Sequence, residues 1–423
     1  MTKSESFNEF CNSTPAHAPM NQFPVQDGEL LVGGIPLTRL MARVGQTPFY
    51  AYDRQLLTQR VESLRAALPK TLKIHYAMKA NPMPALVGHM ASRVDGIDVA
   101  SGGELKVALD AGANPRDISF AGPGKSEADL RRAVAAGILI NVESYREVAA
   151  LSRIHAQTGD AVRVAARVNP DFELKSSGMK MGGGPKPFGV DAEQIPVLLT
   201  EISRAGLDFE GFHLFAGAQN LKAEAIAEAQ RKSYELALTL ATSIPSPIRA
   251  LNLGGGFGIP YFPGELPLDL TPIAANLGEL SRRAEQDFPG AELVIELGRY
   301  LVGEAGLYVT RIVDRKVSRG QVFLVTDGGL HHHLSASGNF GQVIRKNYPV
   351  VIGNRMASAG HDEKEIATVV GPLCTPLDLL ADRMELAKAE PGDLVAIYQS
   401  GAYGFTASPR DFLGHPACIE VLV

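Results

Sequence analysis

The chain of 423 residues is poor in the features that mark several protein classes. Its three cysteines, Cys11, Cys374 and Cys418, are too few and too scattered for a disulfide framework or a zinc knuckle. No stretch approaches the ~18 consecutive apolar residues that a membrane-spanning helix needs. The opening MTKSESFNEFCNSTPAHAPMNQFP lacks the apolar run of a secretory signal. No block of Lys/Arg stands out, and a net charge of -5 offers nucleic acid little to bind. These absences point to a reducing cytoplasm, with no membrane and no nucleic-acid partner. What is present, 45% hydrophobic and 21% charged residues, suits a soluble globular protein of about two domains.

Residues 1–25, polar and Pro-rich, read as a flexible tail. Residues 26–47 read as a segment that packs with a C-terminal domain. From Thr71 to Gly298 short β-branched runs (LKIHYAM, GIDVA, DISFAG, ILINV, VRVAARV, FEGFHLF, IRALNLG, AELVIEL) alternate with stretches whose apolar residues recur at three- and four-residue spacing. Eight such strands predict a (β/α)8 barrel over 48–300, although a doubly wound open sheet would give a similar series. From 301 to 423 the pattern becomes strands joined by turns, a mainly β domain. LDLLADRMELAKAE is the one stretch there that does not read as strand.

In such a barrel the chemistry collects at the carboxyl ends of the strands. There the sequence places Lys79, then Asp98, Ser101 and Glu104, then Arg167 and Asn169, then His213 and Phe215. Gly254, Gly255 and Gly256 follow the seventh strand, and Glu296, Gly298 and Arg299 close the eighth. GGGFG alone reads equally well as a tight turn. With Arg299 nearby it reads as an anion cradle, since glycines let backbone N–H groups approach a phosphate. A lysine on a surface usually snorkels. One in a barrel mouth is desolvated, which lowers its pKa and makes it a nucleophile toward an aldehyde. Lysine, phosphate cradle and opposed carboxylate together form the kit for pyridoxal 5'-phosphate. Glu296 would face the ring nitrogen, its other reading being a solvated strand-end carboxylate.

YAMKANP, IDVASGGEL, GGGFG, ELGRYLV, GPLCTPLD and GAYGF, in this order from Pro48 onward, resemble the fold-type III pyridoxal-phosphate decarboxylases, the group of diaminopimelate and ornithine decarboxylases. The resemblance implies a homodimer with active sites at the interface. It implies Lys79 as the lysine that carries the cofactor, Asp98 and Glu104 as acids near it, and Glu296 as the ring-nitrogen carboxylate. Gly254, Gly255, Gly256, Gly298, Arg299 and Tyr403 would hold the phosphate. Cys374 would come from the neighbouring subunit and return a proton to Cα; otherwise it reads as a small buried hydrophobe.

The departures from the family pattern bear on substrate. Where the family has H-x-G-S, this chain has GFHLFAGAQN, with Phe215 at the stacking position and Ala218 at the serine. His213, two residues earlier on the same strand face, either compensates or is a core histidine. Thr375 stands where the family has an acid for a distal ammonium. DGGLHHHLSASGNF lacks the family's arginine for a distal carboxylate, while Asp378 is kept. A buried charged end without a partner costs several kcal/mol, so a masked side chain is expected, such as glutamyl-[acyl-carrier protein], with Thr375, Asp378 and His332 near it. Free diaminopimelate is the alternative. His331, His332 and His333 are not expected to bind metal, because neighbours on a strand face opposite ways. Two rivals share the scaffold: an amino-acid racemase, against which Glu296 and Cys374 speak, and a non-catalytic cofactor carrier, which leaves the β domain unexplained.

Overall fold

The computed structural model describes residues 16–423 except 174–177, 244–246, 343 and 357–362. Eight strands form a parallel sheet closed on itself. They are β1 (Lys73–Ala77), β2 (Gly96–Val99), β3 (Ile118–Phe120), β4 (Leu139–Val142), β5 (Arg163–Asn169), β6 (Asp208–Leu214), β7 (Ala250–Asn252) and β8 (Glu292–Leu297). They pair in sequence order, and β8 pairs back onto β1 to close the barrel. Every predicted strand is present. Buried on both faces, such strands are near-continuously apolar, and that gave the series its legibility.

Three of the intervening helices start on a serine three residues ahead of an acid. Ser101, Ser126 and Ser144 accept hydrogen bonds from the backbone N–H of Glu104, Asp129 and Glu147. A serine cap satisfies one of the orphan donors of a first turn. These caps fix where each helix leaves the rim, two residues after β2 and β4 and six after β3.

The second domain is a sheet of β9 (Gly306–Ser318), β10 (Gln321–Thr326), β11 (Val350–Ile352), β12 (Lys364–Val370), β13 (Leu379–Ala387), β14 (Leu394–Ile397) and β15 (Ile419–Leu422). The order is β11-β14-β9-β10-β12-β13. A strand from before the barrel, Phe49–Tyr52, lies between β9, antiparallel, and β15, parallel. LDLLADRMELAKAE turns out to be mostly β13. It pairs antiparallel with β12 through two register shifts, with Arg383 at φ 44°. Its helical formers are overruled by the pairing edge that β12 offers.

The tail expectation needs correction for residues 16–24. Phe23 is buried with Leu30, Leu37, Phe49 and Leu307, and His17 Nε2 lies 2.8 Å from the Asn347 carbonyl. Residues 1–15 are outside the described part. Glu29–Val32 and the helix Leu37–Val44 pack through the same cluster on β9 and β14.

Candidate active site

β1 runs into a 3-10 turn, Met78–Ala80, that presents Lys79 at the barrel mouth. The turn is held from the second domain. Tyr403 N–H donates to Ala80 O (2.8 Å), and Asn81 Nδ2 donates to Gly401 O (2.9 Å). Gly401 is obligatory because a Cβ there would fall onto the Val302 carbonyl oxygen. GAYGF is therefore a docking turn, and it carries Tyr403, at φ 53°, to the mouth.

Lys79 Nζ lies 3.9 Å from Glu296 Oε1, and its side chain is 44% exposed. The lowered pKa expected of this lysine is not found. Burial is the largest single influence and lowers it, but Glu296, Tyr403 and Asp98 together raise it by more, and the net direction is up. Glu296 itself is buried on β8. Burial would raise its pKa, but a hydrogen bond from His213 Nε2 to Oε2 (3.0 Å) and the charge of Lys79 bring it down to about 2. The carboxylate is thus ionised throughout the physiological range.

Around this pair is a small recess lined by Lys79, Phe215, Ala218, Gln219, Gly256, Glu296, Gly298, Arg299 and Tyr403 among others. The Phe215 ring centroid is 5.7 Å from Lys79 Nζ. Arg299 donates to Tyr261 OH (2.8 Å) and lies over the rings of Tyr261 and Tyr403, at 5.2 and 4.6 Å. Gly254 and Gly256 have φ of 69° and 87°. At Gly255 a Cβ would meet the Glu296 carbonyl oxygen. The glycine run is thus first a close crossing of two strand ends, and its backbone also borders the recess. A primary amine, an ionised carboxylate facing it, and a guanidinium and tyrosine beside a glycine loop are the donor set that a pyridine aldehyde bearing a phosphate requires.

Other expected residues lie outside the recess lining, some within electrostatic reach of Lys79 and some with partners of their own. Asp98 is inside the barrel, accepting from His75 Nδ1 (3.0 Å) and Ser119 Oγ (2.6 Å). Glu104 accepts from Ala100 N (2.7 Å) as part of its helix cap. Arg167 is paired with Glu143 (2.9 Å), which Lys125 and Glu147 join in a buried ionic cluster. Cys374 is exposed and Thr375 half-buried on the turn after β12, and neither lines the recess.

Two substrate-contact expectations are corrected. Asp378 is 3% exposed, and both its oxygens are taken by backbone N–H groups of Leu330 (2.6 Å) and Leu373 (2.8 Å). It therefore staples the Cys374 turn to the β10 exit. His332 is fully buried, with Nε2 2.9 Å from the Pro416 carbonyl. The three histidines sit in turns, not on a strand, and among the described residues no His/Cys/Asp/Glu group could hold a metal ion. Two residues that support the recess escaped the sequence reading. Tyr261, five residues beyond Gly256, seats Arg299. Gln219 clamps the glycine loop through paired bonds to Ile259 (2.7 and 3.2 Å).

Residues 54–303 match the family described as pyridoxal-dependent decarboxylase, pyridoxal binding domain. The chain is 37% identical to the L-glutamyl-[BtrI acyl-carrier protein] decarboxylase of Niallia circulans, over 89% of both chains. It is 34% identical to the diaminopimelate decarboxylase of Aquifex aeolicus, over 94% of this chain and 91% of the other. Among solved structures, diaminopimelate decarboxylase from Helicobacter pylori complexed with L-lysine superposes with a TM-score of 0.80 at 26% identity, covering 91% of this chain and 94% of that one. The barrel, the Lys79–Glu296 pair and these likenesses agree: the chain belongs to the pyridoxal-dependent decarboxylases, a carboxy-lyase whose cofactor is pyridoxal 5'-phosphate.

Proposed function

We propose that this decarboxylase acts on an amino acid whose side chain is masked by attachment to a carrier, of the glutamyl–carrier-protein class, and that it releases carbon dioxide and leaves the amine. Bound pyridoxal phosphate supplies the electron sink for the pair left by the breaking Cα–carboxylate bond. Lys79 holds the cofactor. Glu296 would hold a proton on its ring nitrogen, and Phe215 would lie beside the ring. Arg299, Tyr403 and the glycine loop hold the phosphate. Cys374 Sγ returns a proton to Cα. Because Cys374 is exposed and outside the recess of its own chain, a second copy is the natural donor. We therefore read the working enzyme as a homodimer, and place it in the cytoplasm.

The observation that carries the substrate reading is the lack of an acid for a distal ammonium. Beyond the recess, and sharing Gln219 and Arg299 with it, lies a cavity of about 460 Å³. Its walls include Tyr261, Phe262, Phe340, Ile344 and Tyr348, with Lys346 and Arg299 as cations. Its one carboxylate, Glu265, accepts from the backbone N–H groups of Tyr261 and Phe262 (2.8 and 3.0 Å). Thr375 replaces the family's acid. Arg345 is turned to neutral acceptors, the carbonyls of Ser337 and Leu379 and Asn347 Oδ1. An amide or thioester carbonyl fits such walls, and an ammonium does not. The likeness to the Niallia circulans enzyme supports the same class.

A second reading, decarboxylation of free diaminopimelate, draws on the likeness to the Aquifex aeolicus enzyme. A carbon dioxide assay over free diamino acids, free glutamate and side-chain-conjugated glutamate decides between them. The conjugate is expected to turn over fastest, and equal or faster release from free diaminopimelate overturns the masked-substrate reading.

A further inference from the structure

We infer that His213 is the positioning residue of the ring-nitrogen carboxylate: it ties down Oε2 of Glu296, so that Oε1 alone is left facing the cofactor. The two residues come from β6 and β8, either side of β7 in the barrel wall. Both are nearly closed to solvent, at 2% and 6% side-chain exposure, and Nε2 and Oε2 are 3.0 Å apart. Lys79 stands off the other oxygen. A carboxylate can only accept, so the imidazole proton is on Nε2. The remaining ring nitrogen, Nδ1, is buried without a hydrogen-bond partner. His213 thus acts on Glu296 as a donor through Nε2, held in place between β6 and β8.

The same strand explains why the task falls to this residue. His213 is on β6, and Phe215 follows directly after its end. Phe215, in the recess, presents only carbon, so β6 offers no other hydrogen-bond donor toward the ring at that position. Orientation of the carboxylate then rests on His213. Held from one side, Glu296 cannot rotate its charge away when the cofactor's ring nitrogen becomes its second partner.

The test uses the full-length protein and pyridoxal phosphate alone, so it does not depend on the substrate. His213→Phe keeps a ring and removes the donor. His213→Gln keeps an N–H at the reach of Nε2, and His213→Asn does not. Cofactor affinity is read by titrating apoenzyme, the absorption spectrum of the holoenzyme is followed from pH 5 to 9, and melting temperature reports folding. Expected are a loss of about tenfold in cofactor affinity and a spectrum that newly titrates with pH in the Phe and Asn variants. Gln should restore both. With decarboxylation as a further readout, kcat should fall more than KM rises. Wild-type affinity and a wild-type spectrum in a folded Phe or Asn variant overturn the inference. So does a Gln variant that melts normally yet behaves like Asn. If the Phe variant fails to fold, the Gln and Asn pair decides alone.

Discussion

At the scale of single residues, the site depends on two charges that hold each other. Lys79→Ala should leave a folded protein that no longer retains cofactor after borohydride reduction, with carbon dioxide release down by roughly a thousandfold or more. The Glu296 carboxylate, depressed to about 2, sets a sign. Its contribution to stability is complete above its unfolded value near 4.5 and is lost as pH falls toward 2. An acid limb of kcat/KM above about pH 5 therefore cannot be the protonation of Glu296, and Glu296→Gln should lower the rate without moving that limb. Asp378→Ala strands the N–H groups of Leu330 and Leu373 in the interior, for a cost of about 2–5 kcal/mol by chemical unfolding. Lys79, Glu296, Arg299 and Tyr403 were legible because each follows an apolar run or a glycine turn. His332 and Asp378 were misjudged because neighbours in sequence do not reveal which polar groups the fold will close over. The Lys79 pKa was misjudged because burial alone was weighed, without its carboxylate neighbour.

At the scale of elements, the glycine loop and the GAYGF turn are fixtures before they are ligands. Gly255→Ala drives a methyl into the Glu296 carbonyl and so moves the end of β8. It should destabilise the chain by about 2–4 kcal/mol and weaken cofactor retention, both visible in melting curves run with and without pyridoxal phosphate. All eight barrel strands could be read from the sequence, because burial on both faces leaves an unbroken apolar signature. β13 could not, because Leu, Met, Glu and Ala carry helical preference and only the open edge of β12 makes them a strand. The Ser-x-x-acid spacing of three helix starts was available in the sequence too. It ties Glu104 to the start of its own helix, from where its charge still reaches Lys79.

At the scale of the whole molecule, buried imidazoles link folding to pH. His331 and His333 are held down to about 3, by burial foremost. The unfolded chain takes up those protons near pH 6.5 and the folded chain does not, so stability falls as pH drops from about 6.5. Each histidine can contribute at most about 1.4 kcal/mol per pH unit. Urea midpoints at pH 7.5 and 5.0 should show the drop, and replacing both histidines by phenylalanine should make it shallower, the remainder coming from His89 and His332. If Cys374 serves a neighbouring copy's Lys79, an equal mixture of inactive Lys79→Ala and Cys374→Ala chains should regain about a quarter of wild-type activity after subunit exchange. No recovery would place both groups in one chain.

The Phe49–Tyr52 strand, seated between β9 and β15, makes the barrel an insertion within the other domain. A fragment of residues 301–423 would lack its central rung, and both neighbours would show bare backbone to solvent, an invitation to aggregate. A synthetic octapeptide covering residues 46–53, supplied in trans, should then zip into that slot and keep the fragment in solution.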